Sequence, residues 1–218
     1  MMKKAILIFI MVVGLVGLCP AGSIGGLRVS AEVKFDESNV TDGGMALGDH
    51  FKIIRFHGKA EHPDYDLNLE LGYGFNPDMV NGEYSYQDMA YYLGIKMYNM
   101  DMVRGKIILG GYNIAVYEDR LDTSTGNYQR INRARSAGIL MGFGLEAFIN
   151  EKITIKGDYY SSFPYIRYTS TVEKYSFDIV LNLEGGGFLG LGYIVDKFYD
   201  LTEITRVKGV HIGLGRSF

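Results

Sequence analysis

Apolar and polar residues alternate one by one through segment after segment of this chain, a period of two that fits strands and not helices. The cleanest run lies between Ala134 and Ile149: Ala137, Ile139, Met141, Phe143, Leu145, Ala147 and Ile149 interleave with Ser136, Gly138, Leu140, Gly142, Gly144, Glu146 and Phe148. Tyr65, Leu67, Leu69, Leu71, Tyr73 and Phe75 form a second unbroken apolar row. The same pattern predicts ten strands: about Leu27 to Asp36, Phe51 to Ala60, Tyr65 to Phe75, about 85 to 98, Met102 to Glu118, Ala134 to Ile149, Ile153 to Ser162, about 173 to 183, Phe188 to Val195, and Val210 to Phe218. With 29 Gly, 17 Tyr and only 4 Pro, the composition agrees with many strands joined by turns. Alternation alone leaves open which face is buried. A soluble sheet hides its apolar face, whereas a barrel in lipid turns it outward.

The connections narrow the choice. Irregular stretches at 37 to 50, 76 to 83, 119 to 133, about 163 to 172 and 196 to 208 alternate strictly with short turns at 61 to 64, 99 to 101, 150 to 152 and 184 to 187. Five long and four short connections give an even strand count with both ends of the chain on the short-turn side. Barrels that cross a membrane sort their loops in this way. The weakest boundary, between the seventh and eighth strands, leaves eight strands as the second choice.

The two ends of the chain agree. Lys3 and Lys4 precede an uncharged run from Ala5 to Leu18 and then Pro20, Ala21, Gly22 and Ser23, the order of a secretory signal peptide. Its expected extent is residues 1–22, with cleavage after Ala21 or Ser23, leaving residues 23–218 as one domain. Cys19 follows Leu18 where a lipidated cysteine would follow a small residue, so lipidation is not expected. Loss of Lys3 and Lys4 leaves 20 basic against 25 acidic residues, a net charge of −5, which argues against a nucleic-acid partner. It also removes the single cysteine and with it any disulfide or thiolate metal site. At the other end, Val210, Ile212, Leu214 and Phe218 fall on one face of a final strand that stops on an aromatic residue. This ending resembles the closing strand of small bacterial outer-membrane β-barrel proteins, the porin-like class. The resemblance implies a single closed antiparallel up-and-down barrel in the outer membrane, termini in the periplasm, Phe218 as part of the assembly signal read by the barrel-assembly machinery, and lipid and lipopolysaccharide around the wall.

On that topology the polar faces point inward and carry Glu32, Lys34, Arg55, His57, Lys59, Asp66, Asn68, Glu70, Lys96, Arg104, Lys106, Glu146, Lys156 and Asp178. Charges away from water must pair, so these residues are expected to form an interior network that largely plugs the lumen. Pairing Ala60 with Tyr65 sets Lys59 against Asp66, His57 against Asn68 and Arg55 against Glu70, and the turn at 150 to 152 sets Glu146 against Lys156. In the fifth strand the apolar phase changes, so that Tyr112, Ile114 and Val116 join the outer face after a bulge at Gly110-Gly111. Phe35, Tyr73, Phe75, Tyr159, Tyr175 and Phe177 are expected outside, as an aromatic girdle toward the long-loop end.

Catalytic and cofactor motifs are sparse. The histidines are His50, His57, His62 and His211; Ser217 lies six residues from His211 on its own strand, and Asp119, Asp122 and Asp196 have only His50 near their end. No phosphate-binding glycine loop or metal-ligand spacing occurs. The expectation is a structural or small-solute-permeability barrel without cofactor, metal or catalytic residues. Its alternatives are a barrel enzyme acting on lipid A or on proteins, and a soluble secreted barrel with an apolar interior.

Overall fold

The computed structural model describes residues 27–42, 45–46, 51–62, 66–76, 84–122, 124, 127–164, 171–199 and 204–217. The expected signal peptide, Cys19, His50 and Phe218 lie outside these residues. Ten long strands follow one another: β1 (Arg28–Asp42), β3 (Phe51–Glu61), β4 (Leu67–Phe75), β5 (Tyr84–Met100), β6 (Val103–Asp122), β7 (Asn127–Phe148), β8 (Ile153–Pro164), β9 (Thr171–Asn182), β10 (Gly187–Tyr199) and β11 (Ile204–Ser217). A two-residue strand, β2 (Met45–Ala46), folds back on the end of β1. Each long strand pairs antiparallel with the next, and β11 pairs with β1 from Ser30↔Ser217 to Asp42↔Thr205, which closes the barrel.

The exterior is apolar in a continuous band. On β5, Met89, Tyr91, Leu93, Ile95 and Met97 are 41 to 65 % exposed, and their neighbours Ile107, Leu109, Ile139, Met141, Phe143, Leu145, Ile179, Leu191 and Ile212 are exposed beside them. Their polar and small neighbours turn inward. A row of about nine to eleven residues is what a tilted strand needs to cross the hydrocarbon, and a closed ladder leaves no backbone edge facing it. Tyr159 and Tyr175, two of the aromatics expected outside, meet across β8 and β9 at a centroid distance of 5.0 Å, and Phe143 of β7, outside that set, adds its ring to Tyr159 at 5.4 Å. Phe35 and Phe177 are exposed as expected, but Phe75 is only 4 % exposed, with its ring against Phe56 and Tyr73.

Four expectations are corrected. Strands run far beyond the apolar band: β1 continues to Asp42, and β6 and β7 pair as far as Asp122↔Asn127, so much of the stretches at 37 to 50, 119 to 133 and 196 to 208 is ladder. Outside lipid neither face need be apolar, so the periodicity fades while pairing persists. Cross-strand charges hold it there: Arg130, opposite Asp119, donates to its two carboxylate oxygens at 2.8 and 2.9 Å, holding that carboxyl below its usual range, and Arg133 donates to Glu118 at 2.5 Å. Second, β3 and β4 pair four residues away from the expected register, with Lys59↔Glu70, His57↔Gly72 and Arg55↔Gly74. The connection is longer than the Pro-containing turn alone, and an even shift keeps every side chain on its face. Asp66, expected inside, is exposed ahead of β4. Third, no bulge occurs at Gly110-Gly111; the register shifts instead at Lys96/Tyr98 and Val116/Tyr117. Fourth, Tyr112, Ile114 and Val116 therefore stay on the inner face, at 5, 1 and 0 % exposure.

Glycine is required where β7 meets β8. A Cβ on Gly142 would stand 2.1 Å from the Tyr159 carbonyl oxygen, whereas one on Gly157 would find only the Ser176 oxygen, at 3.8 Å. Gly142→Ala is expected to cost on the order of 1–3 kcal/mol through forced backbone movement. Gly157→Ala should unfold in urea near wild type, and equal midpoints for the two would refute this packing.

Candidate functional site

The interior is layered from one end to the other. Take the end that carries Arg28 and Ser217 as the near end and the long-hairpin end as the far end. At the far end the inner face is apolar: Val40, Ile53, Ile114, Val116, Val172, Phe198 and Val207 are each no more than 1 % exposed and join one buried cluster. This layer holds the residues whose phase the sequence pattern misassigned.

Below it lies a charged brace centred on Arg55. Its Nε donates to Asp36, and its two terminal nitrogens reach the Tyr86 hydroxyl at 2.9 Å, Asp88 at 3.1 Å and Asp196 at 3.3 Å. Tyr86 in turn donates to Asp196 at 2.7 Å, and the guanidinium lies 4.9 Å from the Tyr86 ring. Lys174 joins from β9, 2.5 Å from Asp88 and 3.7 Å from Asp196. Side chains of β1, β3, β5, β9 and β10 thus meet inside the barrel, with three carboxylates against two cations. Of these residues the pattern picked out only Arg55 for the network. Asp36 stood at a strand boundary, Asp88 among the first residues of the expected fourth strand and Asp196 in a stretch taken for loop, and the signal available was the cost of leaving Arg55 unpaired.

Toward the near end the lumen opens into a cavity of about 660 Å³, lined among others by Glu32, Lys34, His57, Glu70, Lys106, Lys156, Asp178 and Phe188 and ending at Arg55 and Lys174. Most of the expected network residues meet in its wall. Glu70 takes His57 at 3.1 Å, Asn68 at 2.7 Å and Lys106 at 2.9 Å, while Lys106 also lies 3.4 Å from Asp158. Lys59 lies 3.2 Å from Glu61 and 3.9 Å from Glu146, and Lys96 donates to Glu61. Lys34 donates to Asp178 at 2.9 Å and is 4.0 Å from Glu32. Arg104 lies over the Phe148 ring at 4.6 Å, and Lys156 is 5.9 Å from the Phe188 ring centroid. Glu146 does stand opposite Lys156 in the ladder. Tyr92 and Tyr160, 5.4 Å apart, wall the cavity between the two carboxylates of the Lys106 pairings. The expected set omitted Glu61, Asp158 and the two tyrosines.

His211 is buried and meets Asp178 at 2.5 Å, so the closest His–carboxylate contact joins β11 to β9 across Gly192, whose missing Cβ makes the room: one there would stand 2.6 Å from His211 Nε2. Among the described residues no cluster of three or more His, Cys, Asp and Glu is arranged to hold a metal ion.

No protein-family model and no curated protein matches the chain. Solved structures do. The outer membrane protease OmpT from Escherichia coli superposes with a TM-score of 0.56 at 6% identity, covering 88% of this chain and 97% of that one. The fold is that of bacterial outer-membrane β-barrels. Neisserial surface protein A (TM-score 0.46, 10% identity, 88% of this chain and 97% of that one) and the attachment invasion locus protein Ail of Yersinia pestis (TM-score 0.44, 12% identity, 88% and 99%) are also similar, more distantly. That fold accounts for the inverted faces seen here: an apolar exterior is what a barrel wall in lipid requires, and ionic groups find their partners inside.

Proposed function

We propose that this chain is a closed outer-membrane barrel with a structural role, non-enzymatic, its lumen plugged and its permeability correspondingly small. Both termini and the short turns lie in the periplasm on this account, the long hairpins stand outside the cell, lipopolysaccharide and lipid surround the wall, and the closing strand is presented to the assembly machinery. The observation that carries it is the Arg55 brace beneath the far-end apolar layer. Two stacked barriers, one ionic and one dry, lie across the path an ion would take, and a barrel of this size has little width to spare beyond its side chains.

Conductance across a planar bilayer tests it. Refolded protein should give no steady unitary current. A steady current that disappears when a bulky side chain is placed inside, as in Gly190→Trp, would overturn the proposal in favour of a pore.

A further inference from the structure

The outer wall changes character where β10 and β11 leave the apolar band toward the far end. Within the band Leu191, Tyr193, Val210 and Ile212 are 43 to 54 % exposed. Beyond them on the same face stand Lys197 of β10 and Lys208 and Arg206 of β11, while the alternate residues Asp196, Phe198, Thr205 and Val207 are buried inside. Lys197 and Arg206 are directly opposite in the ladder, and Lys208 follows Arg206 by two residues on that face. Opposed side chains have Cβ atoms about 4.5–5.5 Å apart, and like charges so placed repel.

Neighbouring carboxylates do not relieve the repulsion. Glu173 faces Lys197 from β9, but it accepts from the hydroxyls of Tyr175 and Tyr199, both at 2.6 Å. Lys197 lies over the Tyr175 ring instead, 4.6 Å from its centroid. Glu37 of β1 faces Lys52 on one side and Val210 on the other. Among the described residues the outward charges here are thus the cations Lys52, Lys197, Arg206 and Lys208 against Glu37 and Glu173, and neither Lys197, Arg206 nor Lys208 comes within ion-pair distance of a carboxylate. Three cations on adjoining ladder positions, directly beyond an apolar wall, fit an amphiphile whose anionic head lies on the charges and whose chain follows the wall. Arg and Lys both donate charge-assisted hydrogen bonds to phosphate.

We propose that Lys197, Arg206 and Lys208 hold the phosphate of a phosphorylated membrane lipid, its acyl chain lying along Tyr193, Val210 and Ile212. This rests on the reading of the wall as lipid-facing, which bromolipid quenching of Leu93→Trp tests separately. Loss of phosphate binding with that quenching intact counts against this site alone.

The test uses the mature chain refolded in maltoside micelles and followed by phosphorus NMR. Lysophosphatidic acid should bind saturably; lysophosphatidylcholine of the same chain length, whose phosphate is capped by choline, and inorganic phosphate should not. Lys197→Gln combined with Arg206→Gln should raise the half-saturating lipid fraction roughly tenfold. Arg135→Gln, which removes an exposed charge from β7, should leave it unchanged. Heat-modifiable migration on a gel confirms that each variant is folded. Equal binding of the choline lipid or of inorganic phosphate, no saturable binding, or equal effects of the β7 variant and the double variant would overturn the proposal.

Discussion

Arg55→Met should be the most damaging single substitution in the lumen. The residue is 7 % exposed, and its side chain touches Asp36, Asp88, Asp196 and Tyr86. Its loss would leave three buried carboxylates with Lys174 paired to just two of them among the described residues, and removing one partner from a buried pair commonly costs about 3–5 kcal/mol. The variant should unfold at much lower urea in detergent or fail to reach the compact, heat-modifiable form. Neutralising one of the stranded charges as well, in Arg55→Met with Asp88→Asn, should recover part of the loss, because residues in one ionic network do not add independently. A double variant no better than the single one would mean that the brace is not the coupled unit described here.

The second large effect is expected on the outer surface, where a conventional view of protein surfaces predicts none. Leu93 sits at the middle of the exposed row Met89 to Met97 and is 41 % exposed. On a protein in water, Leu93→Arg would be a tolerated surface change. In a bilayer, an Arg at the midplane of a barrel wall costs roughly 2–4 kcal/mol, falling to about 0–1 near the interface. Refolding into vesicles followed by chemical denaturation should therefore show Leu93→Arg strongly destabilised and Met100→Arg, at the end of the same strand, near wild type. Equal and small effects at both positions would remove the lipid from the account.

The sequence made the outer face far more legible than the inner one. A lipid-facing row such as Leu67, Leu69 and Leu71 announces itself locally, because each residue must be apolar whatever its distant neighbours are. Arg55 and Asp196 are 141 residues apart, and Lys174 and Asp88 are 86 apart. Which strands face one another across a lumen depends on closure and stagger, and neither leaves a local trace. Where apolar residues lie inside, as with Tyr112, Ile114 and Val116, the outward assignment inverts, and a bulge was then needed to explain a phase change that does not occur. The lengths of the far-end hairpins were lost for the opposite reason: Asp119 and Arg130 hold a ladder together by charge, with no apolar rhythm to mark it.

Leu93 and Tyr92 are adjacent in the chain and point to opposite faces, and the protein contains no Trp to mask an inserted one. A single Trp placed at either position and refolded into vesicles of brominated lipid therefore tests the orientation of the wall directly. Leu93→Trp should emit to the blue and be strongly quenched by the bromines, while Tyr92→Trp should escape them. Quenching at Tyr92→Trp with none at Leu93→Trp would mean that the apolar face looks inward, and the membrane account would fall.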